Sequence, residues 1–397
     1  MVSNYKYTDP ILGVIDLDSK FITPAWLNNN FGGETLWDWG RNSSGQLGTG
    51  NNTYYSSPVQ VGALTNWKQV AAVTNDTAAI KKDGTLWIWG YDVNGEMANG
   101  VGGGTLKYSS PVQVGALTNW AQVTGSTATS FLMAIQTNGT LWGWGQDGYG
   151  MFADGSTGSA LYSSPIQVGA LTNWKQISCG VYHWSGLKTD GTIWSCGYDA
   201  YGQFGAGANG PSAKYSSPVQ MGSLTNWTQV AAGKVFTAAI KTDGTLWVCG
   251  RGSDGVMAQG DQTSYSSPVQ VGAFTNWSQV SSGSHHWAAI KTDGTLWTCG
   301  YNKFGQLGNG TNNNFYSSPV QIGSLTNWSQ IFAGYFLTAA IKTDGTLWMW
   351  GRNDYGQLGT GDRTYYSSPV QIGALTNWVS VSPGQNHTAA IQTSSPS

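Results

Sequence analysis

Few residues of this 397-residue chain could do chemistry: four histidines, four cysteines and a set of glycine-rich loops. His183 is followed by Trp184 and His286 by Trp287, at matching points about 100 residues apart. Two such dipeptides are too far apart in the chain to predict one metal centre or one acid–base set. The expectation is turn histidines packed on neighbours, with His183, Trp184, His286 and Trp287 as secondary contact candidates. Cys196, Cys249 and Cys299 each stand where a recurring Leu-Trp-x-Trp-Gly phrase has its second Trp, which predicts buried small substitutes. Cys179 could face Cys196 within one sheet, and no C-x-x-C pair marks a zinc site. The "GQLGTG" loops resemble phosphate cradles, but no Gly-Lys-Ser/Thr follows and strands come next instead of helices. They read as turns. No catalytic residue, metal or cofactor is expected.

The elements that carry these residues repeat. Leu/Ile-Trp-x-Trp/Cys-Gly begins its tryptophan pair at 37, 87, 142, 194, 247, 297 and 348, a period of about 52 residues. Ser-Ser-Pro-Val/Ile-Gln and Leu/Phe-Thr-Asn-Trp each recur seven times as well. Phrases such as "TDGTLW" put an Asp-Gly turn between two apolar arms, the signature of a tight hairpin. "PVQV" and "NWKQV" add two more short strands, and no segment has a helical period. Four strands repeated seven times predict an all-β, seven-bladed propeller over 32–397, with residues 1–31 outside the period. The first unit lacks its "AAIKTD" and the last has "AAIQT" but no "DGTLW". The expectation is a ring closed by pairing Ala389–Thr393 beside Thr35–Trp39, which hides free strand edges.

Composition removes several functions. Net charge is −2 and only 10% of residues are charged, so the clustered Lys and Arg of nucleic-acid binders are missing. No apolar run is long enough to span a bilayer and the start does not read as a signal peptide. What remains is a display surface. Tyr55, Tyr108, Tyr162, Tyr215, Tyr265, Tyr316 and Tyr366 precede each Ser-Ser-Pro, just after the loops that vary most in length and wording. Tyr with Ser, Gly and Asn suits adaptable contact surfaces. Either this ring binds a partner or each Tyr packs on its own blade. For residues 1–31, anchoring to a partner subunit and packing on the propeller both stay open.

"GRNDYGQLGTGD" (351–362) and "GYNKFGQLGNGT" (300–311), each at the end of a Trp/Cys-Gly phrase and ahead of a Pro-Val strand, resemble the regulator of chromosome condensation repeat. The resemblance covers about residues 32–393 and implies a seven-bladed propeller, commonly closed by both termini, that holds proteins on one face. A His in the turn before the "AAI" strand also belongs to the family pattern. Here the positions are Asp76, Phe131, His183, Phe236, His286, Leu337 and His387, so only three keep it. The phrases "YSSPVQVGALTNW" and "AAIKTDGTLWTCG" are also similar to repeats of bacteriophage tail- and fibre-associated proteins. The leading expectation is therefore a non-enzymatic virion component that contacts host protein, cell-surface glycan or neighbouring virion subunits. The alternative is a cellular protein-binding regulator, exchange-factor-like or inhibitor-like, that uses one face.

Overall fold

The computed structural model describes residues 6–9, 13–16, 33–102, 104–207 and 213–393. Seven sheets of four antiparallel strands form a closed ring. We number the blades by their first strands, which begin at Trp67, Trp120, Trp174, Trp227, Trp277, Trp328 and Trp378. Blade 1 shows the pattern: Trp67–Ala72, Asp76–Lys81, Leu86–Asp92 and Leu106–Gln113, paired in that order. First strands of successive blades touch one another around the axis, where residues from all seven line a cavity of about 240 Å³. The Ser-Ser-Pro strand is outermost, and its proline sits on an edge that forms no further ladder.

The "LWIW" arm is covered on both faces, as expected of a strand with Leu86, Ile88 and Trp89 all fully buried. Three tryptophans meet in each complete set. In blade 1, Trp67 packs edge-on to Trp87 and Trp89, both at 6.2 Å between ring centroids. T-shaped contacts of this kind add to what the rings gain from burial alone. The hairpin turn is held by its own aspartate: Asp83 Oδ1 accepts from the Thr85 amide and hydroxyl at 2.9 and 2.7 Å. Gly84 follows with φ +80°, and a Cβ there would lie 2.1 Å from the Thr118 carbonyl oxygen. Only glycine fits that approach.

Ring closure occurs where expected. His387–Gln392 pairs with Thr35–Gly40 in full register, Ile391 opposite Leu36 and Ala389 opposite Asp38. Blade 7 is thus built from Trp378–Pro383 and His387–Gln392 together with Thr35–Gly40 and Tyr55–Gln60. Residues 1–31 were expected to anchor or to pack on the ring. Apart from Lys6–Asp9 and Gly13–Asp16, which pair as a small antiparallel hairpin, that expectation lies outside the described residues.

The cysteine expectations divide. All four thiols are free. Cys179 pairs opposite Trp184, and Trp184 opposite Cys196, so a whole strand separates the two sulfurs. Two strand spacings put their Cα atoms near ~9.5 Å, too far for a disulfide. Cys196, Cys249 and Cys299 are buried as expected, and burial raises all three thiols well above their ordinary pKa.

Removing residues 389–397 should strip blade 7 of its second strand and cost more than about 5 kcal/mol. Removing only 394–397 should shift the melting temperature by less than about 1 °C. Ile391→Ala, at a site 1% exposed, should cost about 2–5 kcal/mol. Thermal melting of the three variants checks this, and equal stability of the two truncations refutes the closure.

Candidate functional site

Strands of a blade alternate direction, so the first-to-second and third-to-fourth loops leave one end, called here the upper face. The Asp-Gly hairpins and the "GALTNW" connections leave the other. The expected contact residues divide across this frame.

His183, Trp184, His286 and Trp287 are all at 0% exposure and touch no surface. As contact candidates they are corrected: they are core. His387, His286 and His183 each reach the next blade through Nε2, to the hydroxyls of Thr77 (2.9 Å), Thr338 (2.8 Å) and Thr237 (3.1 Å). Thr77 and Thr338 already donate to the carbonyls of Gln46 and Gln306, both at 2.8 Å. A hydroxyl has one proton to give, so Thr77 and Thr338 accept here, and His387 and His286 carry hydrogen on Nε2. Burial pushes all three imidazoles down to about 3. They are neutral links between blades.

The two tryptophans have a volume explanation. In blades 1, 6 and 7 the buried ring is on the third strand with Thr opposite: Thr77 faces Trp89, Thr338 faces Trp350 and Thr388 faces Trp39. In blades 3 and 5 the pair is exchanged, Trp184 facing Cys196 and Trp287 facing Cys299. The ring moves one strand over and keeps its partner. Trp184 donates to the Met151 carbonyl and Trp287 to that of Val256 (2.8 Å), just as Trp350 donates to Gln306 (2.9 Å) and Trp39 to Gln357 (2.9 Å). Cysteine twelve residues after an extra tryptophan was the sequence signal.

The seven tyrosines are half-buried on the outer strands. Tyr55 and Tyr108 accept from Asn51 and Asn99, each at 3.1 Å. Tyr366 donates to Asp362 at 2.7 Å, Tyr162 donates to Asp154, and Tyr316 bonds Thr311 at 3.1 Å. The ring of Tyr215 rests 5.5 Å from Phe204, and Tyr265 packs against the core between blades 4 and 5. These residues tie the variable loops down; the packing alternative describes most of their contacts.

The upper face carries a second aromatic population that the repeat markers do not include. Tyr149, Tyr182 and Tyr198 form a triangle with centroids 5.2–6.1 Å apart, and Tyr201 extends it under Arg251 at 5.1 Å. Farther round, Phe336 meets Tyr335 (4.5 Å), Phe304 (4.9 Å) and His285 (5.5 Å, stacked). His285 Nδ1 lies 2.7 Å from Asp254 and its Nε2 3.4 Å from Lys234. All four arginines of the chain, Arg41, Arg251, Arg352 and Arg363, lie in upper-face loops. Three sit over aromatic rings: Arg41 on Tyr355, Arg251 on Tyr201, Arg352 on Phe304.

The lower face is uniform. Leu64, Leu117, Leu171, Leu224, Phe274, Leu325 and Leu375 are exposed at the same place in every unit. Behind them Lys188, Lys241, Lys291 and Lys342 lie 3.6–4.1 Å over Trp194, Trp247, Trp297 and Trp348. Burial lowers these ammonium groups below their usual pKa, and the ring faces compensate. Among the described residues no three His, Cys, Asp or Glu converge on a metal position.

The turn that follows each third strand varies between Asn and Asp. Asn42 accepts from the Leu47 amide (3.0 Å) and donates to the Asn51 carbonyl (2.9 Å). Asp199, in the same place in blade 3, accepts from Phe204 (2.9 Å) but when ionised cannot donate, and its buried Oδ2 has no partner. Burial raises it to about 7.

Models of the regulator of chromosome condensation (RCC1) repeat match residues 34–80, 138–185, 190–240, 243–290, 293–341 and 344–391. The ultraviolet-B receptor UVR8 of Arabidopsis thaliana is 30% identical over 223 residues, 55% of this chain and 49% of that protein. The probable E3 ubiquitin-protein ligase HERC6 of Homo sapiens is 34% identical over 175 residues, 42% of this chain and 17% of that one. The chain spans half or less of these relatives. Among solved structures, yeast RCC1 (Prp20) bound to Kap60 superposes with a TM-score of 0.80 at 18% identity, covering 91% of this chain and 89% of that one. Human WBSCR16 gives 0.79 at 22% identity over 90% and 98%.

Two pH effects follow from the buried groups. The histidines titrate near 6.5 when unfolded and about 3 when folded, so between those values the unfolded chain binds more protons and stability falls as pH drops. Asp199 acts in reverse: its folded pKa is raised from 3.8 to about 7, so its stabilising contribution is lost as pH rises through that window. Asp199→Asn should raise the melting temperature by about 2–4 °C above pH 7, and the gain should shrink as pH falls toward 3.8. Thermal melts of both proteins across that range test it.

Proposed function

The chain belongs to the regulator of chromosome condensation (RCC1) repeat family, and on that premise we propose that it is a non-enzymatic propeller that captures a protein on its upper face. The observation that carries this is the gathering of Tyr149, Tyr182, Tyr198, Tyr335, Phe304, Phe336 and all four Arg on one face. Those residue types dominate the energetic centres of protein interfaces. They gather here in loops of unequal length on a rigid ring, whereas the lower face repeats one apolar unit. Yeast Prp20 is solved with Kap60 and is described as binding Gsp1p and histones, so protein capture by this fold has precedent.

The aromatic groups are also prepared for contact. Tyr335, Phe336, Phe304 and His285 hold one another in place, so little side-chain freedom is lost on docking. Arg251 sits 5.1 Å from the Tyr201 ring centre and Arg352 5.7 Å from that of Phe304, with Asp354 holding Arg352 through Nε.

A second reading keeps the virion role, as a tail or fibre component. Its support is the near-identity of the repeated units and the low charge of the chain, 10% of residues, which suit repeated contacts with copies of one surface. Presence of the protein in purified phage particles at a copy number matching particle symmetry supports it; absence from such particles removes it.

Tyr335→Ala and Arg251→Ala should each weaken capture of a protein partner at least tenfold with unchanged melting temperature. Leu375→Ser on the lower face should leave capture intact. Affinity measured with the co-purified partner and the three variants is the test. Loss with Leu375→Ser alone would place the protein contact on the opposite face.

A further inference from the structure

Blades radiate from an axis, so neighbouring sheets diverge toward the rim and leave wedges between them. The wedge between blades 5 and 6 is an open cleft of about 640 Å³. That is the size of sites that hold small molecules. Its working groups are Asn309, Thr311, Tyr316, Gln321, Leu325 and Trp348, and no charged side chain lines it.

The polar groups are already arranged. Thr311 Oγ1 bonds Asn309 Oδ1 at 2.9 Å and the Tyr316 hydroxyl at 3.1 Å, and Asn313 Nδ2 donates to the same hydroxyl at 3.2 Å. Gln321 Nε2 donates to the Gly323 carbonyl at 3.1 Å, which fixes the amide at the mouth. Trp348 is held edge-on to Trp328 at 6.2 Å, and exposed Leu325 stands at the rim.

We infer that this cleft binds a neutral saccharide. Three features select that ligand class. No cation lines the cleft, and Lys342 beside it is engaged by the Trp348 and Trp328 rings, so a phosphate, sulfate or carboxylate would be buried unpaired at high cost. A purely aliphatic ligand would desolvate the hydrogen-bonding capacity that the internal bonds of Asn309, Thr311 and Gln321 leave unused. A sugar ring supplies both an apolar C–H face for Trp348 and Leu325 and hydroxyls for the uncharged donors and acceptors.

The set is periodic. Tyr316, Gln321, Leu325 and Trp348 have counterparts in every unit, Phe274 replacing Leu once. The loop residues at the Asn309 position differ, being Thr49, Asn99, Asp154, Ala206, Gln259 and Thr360, so the wedges share a wall and vary in their polar roof. A ring of such wedges favours a polymeric glycan, because each further contact becomes intramolecular. None of the upper-face aromatics lines the cleft, and the inference stands independently of protein capture there.

The test uses the full chain on an array of neutral polysaccharides (glucan, galactan, mannan, chitin) beside acidic ones, followed by titration with soluble oligosaccharide from the retained polymer. The expected result is retention on a neutral polymer that is equal at low and high salt. Gln321→Leu should lower the number of oligosaccharides bound per chain by one, and Asn309→Leu should weaken that cleft roughly tenfold, the size of a lost hydrogen bond. Leucine at all seven positions equivalent to Gln321 should abolish retention with the melting temperature kept; if that variant does not fold, the Gln321→Leu stoichiometry decides. Retention on no neutral polymer, retention only on acidic polymers that high salt removes, or stoichiometry unchanged by Gln321→Leu each overturns the inference. Tyr335→Ala should leave retention unchanged.

Discussion

Everything in this molecule depends on contact between one blade and the next. A four-stranded sheet with apolar side chains on both faces cannot exist alone in water, and each blade is buried only because two neighbours cover it. Near the axis the join is a glutamine. Gln69 donates to the Val123 carbonyl (2.8 Å) and accepts from the Val123 amide (2.9 Å), and Gln122 does the same with Ile177, both at 3.0 Å. The amide side chain satisfies backbone groups that no ladder reaches. Ser380 stands at this position in blade 7, and there Ser382 Oγ accepts from the Ala72 amide (2.9 Å) instead. Farther out, the buried tryptophans, threonines and histidines make the second join.

The two faces answer to different constraints. On the lower face the hairpin glycine has no room for a side chain, and its aspartate is occupied by Thr85 and its counterparts. That face stays constant because its turns have one solution. Upper loops need only deliver one carbonyl to the next blade and one tyrosine hydroxyl to their own residues. Between those points their length is free, which is how "GDQTSY" and "FADGSTGSALY" serve the same scaffold.

This division explains what could be read from the chain. Seven units, four strands each and the closing pair were legible, because each rests on a marker that recurs at fixed spacing. His387–Gln392 against Thr35–Gly40 followed from two incomplete units. The glutamine join was present in every "NWxQ" phrase but resembled any strand residue, since nothing in a sequence says which strand is innermost. The upper-face aromatics were illegible for another reason. Tyr149, Tyr182 and Tyr198 come from two blades and three different positions in the unit, and only the ring's geometry gathers them. His183 and Trp184 form a reactive-looking pair, yet Trp184 fills the space left by Cys196 and His183 links to Thr237 of the next blade.

The acceptors at the outer join are main-chain carbonyls: Glu96 for Trp144, Met151 for Trp184, Val256 for Trp287, Gln306 for Trp350. Those acceptors carry four different side-chain types, and the donor is served equally by each. Through these tryptophans a blade recognises its neighbour's backbone and not its side chains. A unit that also keeps the threonine reached by the preceding blade's histidine, Thr77, Thr237 or Thr338, retains both contacts when exchanged, and a ring joined in this way is a cassette holder whose surface can diversify while its frame stays fixed.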